Sequence, residues 1–245
     1  MDSGSPRRGP IAELKAFGHA ALINPVPRDH SEPDSAFRRR RIVAGITLVL
    51  GAAVLAFSLR LQPGDPRFYV STVILAVVWG GGAFASGRLH LGHAHTREGG
   101  TDRPYVQAFI LGFALLGLFL LGAFVVAKVP ALRGPVDGLL DHARFGSLPF
   151  VIAITAINGI AEELYFRGAL YAAVGRKHAV AITTIAYTLA TFATGNPMLA
   201  FAAALLGLLV GLQRRVTGGI LGPIITHLVW SLGMLLLLPP LFNLL

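Results

Sequence analysis

The chain reads as an all-α, polytopic membrane helical bundle of about seven transmembrane segments, with an N-terminal helix suited to the membrane interface. Three observations predict this. The 245 residues are 54% hydrophobic and only 13% charged, about half the ~25% charge of a soluble domain. Mean hydropathy is +0.65. Long apolar runs alternate with short connections that hold most of the basic residues, as in proteins oriented by positive loops. That distribution accounts for the net charge of +9, so the expected partner is the lipid bilayer and not nucleic acid. The chain has no cysteine, which excludes disulfides, thiol catalysis and lipoprotein anchoring. No apolar h-region lies in the first forty residues, so no cleavable signal peptide is expected.

Residues 1–41 read as a basic cytoplasmic tail and 42–245 as the transmembrane domain. Within the tail, 11–23 suits a short amphipathic helix with Leu14, Phe17 and Ala21 on one face. Arg38, Arg39, Arg40 and Arg41 stand directly before the first apolar run. They place the N-terminus inside, and topology is the expected role of all four. The apolar segments are 42–59, 68–86, 106–129, 148–173, 179–192, 198–212 and 219–238. The fifth and sixth fall short of the ~20 residues of a full span, so a buried or bent hairpin is expected there. Alternation puts Arg88, Arg97, Arg103, Arg176, Lys177, Arg214 and Arg215 inside, with Arg60, Arg67, Lys128, Arg133 and Arg144 outside. Gly207 and Gly211 form a GxxxG, expected to let backbones approach closely.

Glu162 and Glu163 are adjacent carboxylates in the fourth segment, with Arg167 four residues after the second. Ionisable groups at membrane depth are expensive to keep, so this cluster is the expected functional site. Glu163 and Arg167 have the favourable i,i+4 order for an ion pair. Glu162 points about 100° away, on a face shared with Asn158 and Tyr165, and needs another partner. His227 with Ser231 in the seventh segment, and Tyr187 with Thr191 in the fifth, are the polar groups that could face it. At 1.5 Å per residue, Glu162 lies about 20 Å, Thr191 about 18 Å and His227 about 14 Å from the expected cytoplasmic boundary. A carboxylate and an imidazole meeting there can polarise a water, with or without a metal. His90, His93 and His95 form a second cluster, expected in a solvated loop.

The run Glu162-Glu163-Leu164-Tyr165-Phe166-Arg167-Gly168 resembles the EExxxR motif of the CAAX-processing and bacteriocin-processing (CPBP) intramembrane proteases. The stretch from Gly207 to His227 is similar to the approach to that family's last motif, and the resemblance covers about 148–238. It implies Glu162 as general base for a water attacking a peptide carbonyl. Glu163 and Arg167 become the supporting pair, and His227 a group that binds a metal or stabilises an oxyanion. A divalent metal such as zinc would then rest on Glu162 and His227. Two motifs depart from the family. Thr191 stands where FxxxH has histidine, and Ser231 where HxxxN has asparagine. Hydroxyls are poor ligands for zinc beside imidazole. Asn196 is a further candidate to supply the missing polar group.

The expected function is thus a CPBP-type endopeptidase with a mid-membrane Glu/His site open to the cytoplasm, acting on a membrane-associated peptide or protein. The alternative is a catalytically degenerate member that serves as a membrane scaffold or binds a protein partner. A proton-coupled transporter is the third reading, although no inverted repeat favours it. Alanine- and arginine-rich composition suits a bacterial inner membrane.

Overall fold

The computed structural model describes residues 9–97, 99–144, 147–175 and 177–245. Arg176, part of the predicted charge pattern, lies outside them, as does the start of the tail. Helices α1 (Pro10–Leu22), α2 (Asp34–Ser58), α3 (Pro66–Ser86), α4 (Tyr105–Val126) and α5 (Pro130–Arg144) precede the carboxylates. Then come α6 (Leu148–Glu163), a π-helix (Leu164–Leu170), α7 (Tyr171–Val174), α8 (Ala179–Phe192), α9 (Pro197–Thr217) and α10 (Leu221–Leu244). Among the described residues the only strands are a pair of two-residue segments, β1 (Ala94–His95) and β2 (Thr101–Asp102).

Six helices among the described residues are long and apolar enough to cross a membrane: α2, α3, α4, the continuous rod 148–174, α9 and α10. The protein is therefore an integral membrane helical bundle. Outward faces are apolar, as lipid requires. Ile42, Ile46, Val49, Leu50 and Phe57 make an exposed stripe along α2, spaced for one helix face. The predicted shortness of segment five holds, since α8 has only 14 residues. Segment six does not stay short: α9 extends to 21 residues, with Gln213, Arg214 and Thr217 buried in its last turn. Apolar counting ended the segment at those side chains. The fold shields them, so the helix continues.

Local signals set the helix ends. The Asp65 carboxylate accepts from the Arg67 backbone N–H at 2.8 Å, with Pro66 beginning α3. Asn196 caps α9 through the Met198 and Leu199 N–H groups. This follows the preference for Asn and Asp at N-caps and Pro at the first helical position. Asn196 also donates to the Pro135 carbonyl at 2.8 Å. It is a joint between α5 and α9 and supplies nothing to the Glu162 cluster.

Close packing joins α2 to α3. A Cβ at Gly51 would fall 2.2 Å from the Trp79 ring, and one at Gly82 would fall 2.2 Å from the Thr47 hydroxyl. Trp79 stacks on Tyr165 with ring centroids 4.5 Å apart, which anchors the pair of helices against the π-helix. Tyr165 itself donates to the Ala44 carbonyl at 2.6 Å. It therefore faces α2, not the face expected to be shared with Glu162.

Charge divides between the two ends as alternation predicted. Arg133 donates to Phe242 O and Arg144 to the Asn243 side chain at one end. At the other, Arg215 donates to Leu22 O and Arg103 to Gly92 O. Helix α5 lies between the predicted apolar segments 106–129 and 148–173. It forms because Val136 and Leu140 are buried against Leu238 and Phe242, while Arg133 and Arg144 pair with Asp137 on its polar side. Arg40 departs from its purely topological reading. It is 1% exposed, pairs with Glu32, and donates to Ser86 and to the Arg88 carbonyl. Arg38, Arg39 and Arg41 stay exposed.

Candidate active site

The two carboxylates end α6, and the chain then widens into the seven-residue π-helix that carries Arg167. π-helical segments concentrate at functional positions. Within it, the Arg167 carbonyl accepts from Arg214 Nε at 2.7 Å. Sequence reading missed both the π-helix and the inward turn of Arg214. The local signal is weak, because a tertiary hydrogen bond fixes the segment. The one available hint was Arg214 itself, a basic residue adjoining an apolar segment.

Glu163 and Arg167 are both 0% exposed, and Glu163 Oε1 accepts from Arg167 Nη1 at 3.0 Å. The same oxygen lies 2.8 Å from His227 Nδ1 on α10. One carboxylate oxygen thus joins two helices. Arg167 also lies over the Tyr187 ring, 4.9 Å from its centroid. A Cβ at Gly207 would come within 3.2 Å of Arg167 Nη2 and 3.3 Å of Tyr187 Cδ1. The small residue in α9 therefore makes room for the guanidinium. That is a more specific duty than the helix packing expected of it.

Glu162 is only partly buried and takes a different partner. The Tyr187 hydroxyl donates to Glu162 Oε2 at 2.5 Å. Glu162 lies within electrostatic reach of His227 and Arg167. The sealed carboxylate and the reachable one are therefore distinct groups, held by distinct helices.

The remaining predicted positions vary in their engagement. Asn158 donates back to the Ile154 carbonyl at 2.9 Å. Thr191 donates to the Tyr187 carbonyl at 2.9 Å, so its hydroxyl is used within α8 and does not replace an imidazole. Ser231 follows His227 by one helical turn on α10. Among the described residues Glu163 Oε2, Arg167 Nε and Nη2, Asn158 Oδ1 and Ser231 Oγ are buried without a hydrogen-bond partner. Trp230 Nε1 shares that state. Such groups are rare in finished cores; these six lie on the segments that carry the cluster, and others lie at Trp79, Gln107, Thr184, Gln213 and Arg215.

The donor set does not suit zinc. A catalytic zinc takes three protein ligands, and no group of three or more His, Asp or Glu among the described residues is arranged to hold a metal. Glu163 Oε1 is already shared by Arg167 and His227. The expected Glu162–His227 metal pair thus lacks a third ligand among the described residues.

A polytopic helical bundle with a buried carboxylate–guanidinium–imidazole cluster is the class defined by this geometry. Residues 144–233 match the family model described as "Rce1-like: Type II CAAX prenyl endopeptidase Rce1-like". The CPBP resemblance read from the sequence is borne out over that stretch. It contains all eight residues singled out above: Asn158, Glu162, Glu163, Arg167, Tyr187, Thr191, His227 and Ser231. No curated protein and no solved structure matches the chain. The family is one of membrane endopeptidases of the CAAX type, which supports a peptidase acting within the bilayer.

Proposed function

We propose that this protein is an intramembrane endopeptidase of the glutamate type, acting on a membrane-associated peptide at the Glu162–His227 centre. The observation that carries the reading is the division of labour between the two carboxylates. Each is held through one oxygen, but Glu163 is sealed between Arg167 and His227, whereas Glu162 is partly exposed and meets the Tyr187 hydroxyl. Tyr187 fixes Oε2 of Glu162 and leaves Oε1 for a water. Glu162 accepts a proton from that water, whose oxygen bonds to the scissile carbonyl carbon. The tetrahedral oxyanion is stabilised by His227 Nε2–H, with Nδ1–H held on Glu163. On collapse the C–N bond breaks, and Glu162 returns its proton to the leaving nitrogen. With both carboxylates ionised, Arg167 and an imidazolium at His227 bring the cluster to neutrality, which buried charge requires.

On this reading the N-terminus faces the cytoplasm, the site opens to that side, and the membrane is a bacterial inner membrane. The basic bundle end is what supports that orientation. A second reading, a non-cleaving member that binds a protein partner, is favoured by Thr191, whose hydroxyl is spent on its own helix. The deciding experiment uses purified protein in nanodiscs with a library of membrane-embedded peptides. Cleavage by the wild type that Glu162→Gln abolishes, with melting unchanged, supports the peptidase. No cleavage by the wild type, or equal cleavage by Glu162→Gln, overturns it.

A further inference from the structure

At the basic end of the bundle lies a cavity of about 270 Å³, remote in sequence from the carboxylates. Three loops build it: the α1–α2 connection, the α3–α4 connection and the α9–α10 turn. Arg28, Arg88 and Arg103 line it with His30, His90 and His93, and no carboxylate joins them. His30 and His90 are stacked, with ring centroids 3.8 Å apart and planes 11° apart. Two basic rings in face contact are unfavourable unless both are neutral or an anion offsets them. The two nearest acids are otherwise occupied: Glu32 pairs with Arg40, and the Asp29 carboxylate accepts from the Ser31 N–H at 2.9 Å.

The walls are fixed by backbone bonds, so the cavity is not a chance gap between mobile loops. Val26 N–H donates to Val216 O, His93 N–H to Thr217 O, and Ile220 N–H to His90 O. A Cβ at Gly219 would fall 2.0 Å from the Leu91 carbonyl carbon, which shows how tightly the loops are laced. Burial, then His90, Arg214 and Arg28, push the His30 imidazole down to about 4.

From this geometry we infer that the cavity binds a phosphate-type oxyanion, with Arg88 and Arg103 as the principal charged ligands. Arginine forks match tetrahedral oxyanions in bidentate geometry. A stacked imidazole pair at the wall supplies further donors once the anion is in place. Both a soluble phosphate and a phosphomonoester lipid headgroup have the required chemistry. The site is separate from the proposed hydrolysis and stands or falls without it.

The test uses the full-length protein and two probes. Inorganic phosphate is titrated in a neutral detergent at constant ionic strength, reading melting temperature and the His30 ring resonances by NMR. Phosphatidate is offered in phosphatidylcholine nanodiscs, reading retained lipid by native mass spectrometry. Saturable phosphate binding, with the His30 titration moving to higher pH, identifies a soluble anion. Phosphatidate retention without a phosphate response identifies the headgroup. In either case the Arg88→Gln/Arg103→Gln double variant is expected to bind at least tenfold more weakly. The Arg38→Gln/Arg39→Gln double variant, which removes exposed charge at the same end, is expected to bind as the wild type does. Binding of neither probe overturns the inference, as does an equal loss in both double variants.

Discussion

Arg167→Leu tests the buried ion pair, because the substitution keeps the volume and removes the charge. Glu163 is then left fully buried, with only His227 as a partner for its occupied oxygen. Breaking a buried pair from one side costs about 3–5 kcal/mol. Loss of the guanidinium over the Tyr187 ring adds about 1 kcal/mol. Against this, Arg167 Nε and Nη2 have no partner among the described residues, and deleting such donors relieves roughly 1–3 kcal/mol. Mid-range values leave a destabilisation of about 3 kcal/mol. For a chain of 245 residues that corresponds to a fall in Tm of roughly 6–12 °C. Trp79, 0% exposed and stacked on Tyr165, gives the fluorescence signal for a thermal melt in detergent. Adding Glu163→Gln removes the stranded charge and is expected to recover a large part of the loss. Melting of Arg167→Leu within about 1 °C of the wild type would refute the reasoning. So would a failure of the second substitution to recover stability.

Tyr187→Phe removes the hydroxyl that donates to Glu162 Oε2; peptidase kcat is expected to fall at least tenfold with KM little changed, and an unaltered kcat would remove Tyr187 from the positioning of Glu162. His30 titrates at about 4 in the folded protein against an ordinary value of 6.5, so the unfolded state binds more protons between those values and stability falls as pH drops through the window. Glu32, held below the usual carboxylate range by Arg40, loses its contribution at still lower pH. His30→Gln is therefore expected to shrink the drop in melting temperature between pH 7 and pH 5, and an unchanged drop would sink the assignment. Thr191→His returns an imidazole to α8 one turn after Tyr187, and elemental analysis is expected to show zinc gained over the wild type. Unchanged zinc content would mean that an imidazole at that position does not reach Glu162.

The carboxylate centre was legible because charge in an apolar run is rare and helical spacing is rigid. Glu163 and Arg167 could be paired from their separation alone, and the partners from other helices could be shortlisted by depth. What depth could not resolve was angle. His227 docks on Glu163, and Glu162 turns to Tyr187, because α8 and α10 approach from different sides. The roles of Arg40 and Arg214 were illegible for a related reason. Basic residues at segment ends look alike in a sequence, and only the packing of α2 against α3, and of α9 against the π-helix, decides which turn inward. Helix α5, with Pro130 and Pro135 in it, falls between the predicted segments and forms because Val136 and Leu140 find an apolar surface.

The π-helix has a consequence for how this protein can change. Bonding from i to i+5 accommodates one residue more than an α-helix needs over the same turn. Deleting a single residue between Leu164 and Leu170 would let ordinary α-helical bonding run through the rod. The widened turn absorbs that extra residue, so the segments on either side would keep nearly their present phase. A one-codon deletion between Glu163 and Arg167, which leaves every acidic and basic residue of the centre in place, would still shorten their spacing from i,i+4 to i,i+3 and move the guanidinium against Glu163 and Tyr187. Indel tolerance along this rod is accordingly expected to be lowest at a stretch whose own side chains are mostly apolar.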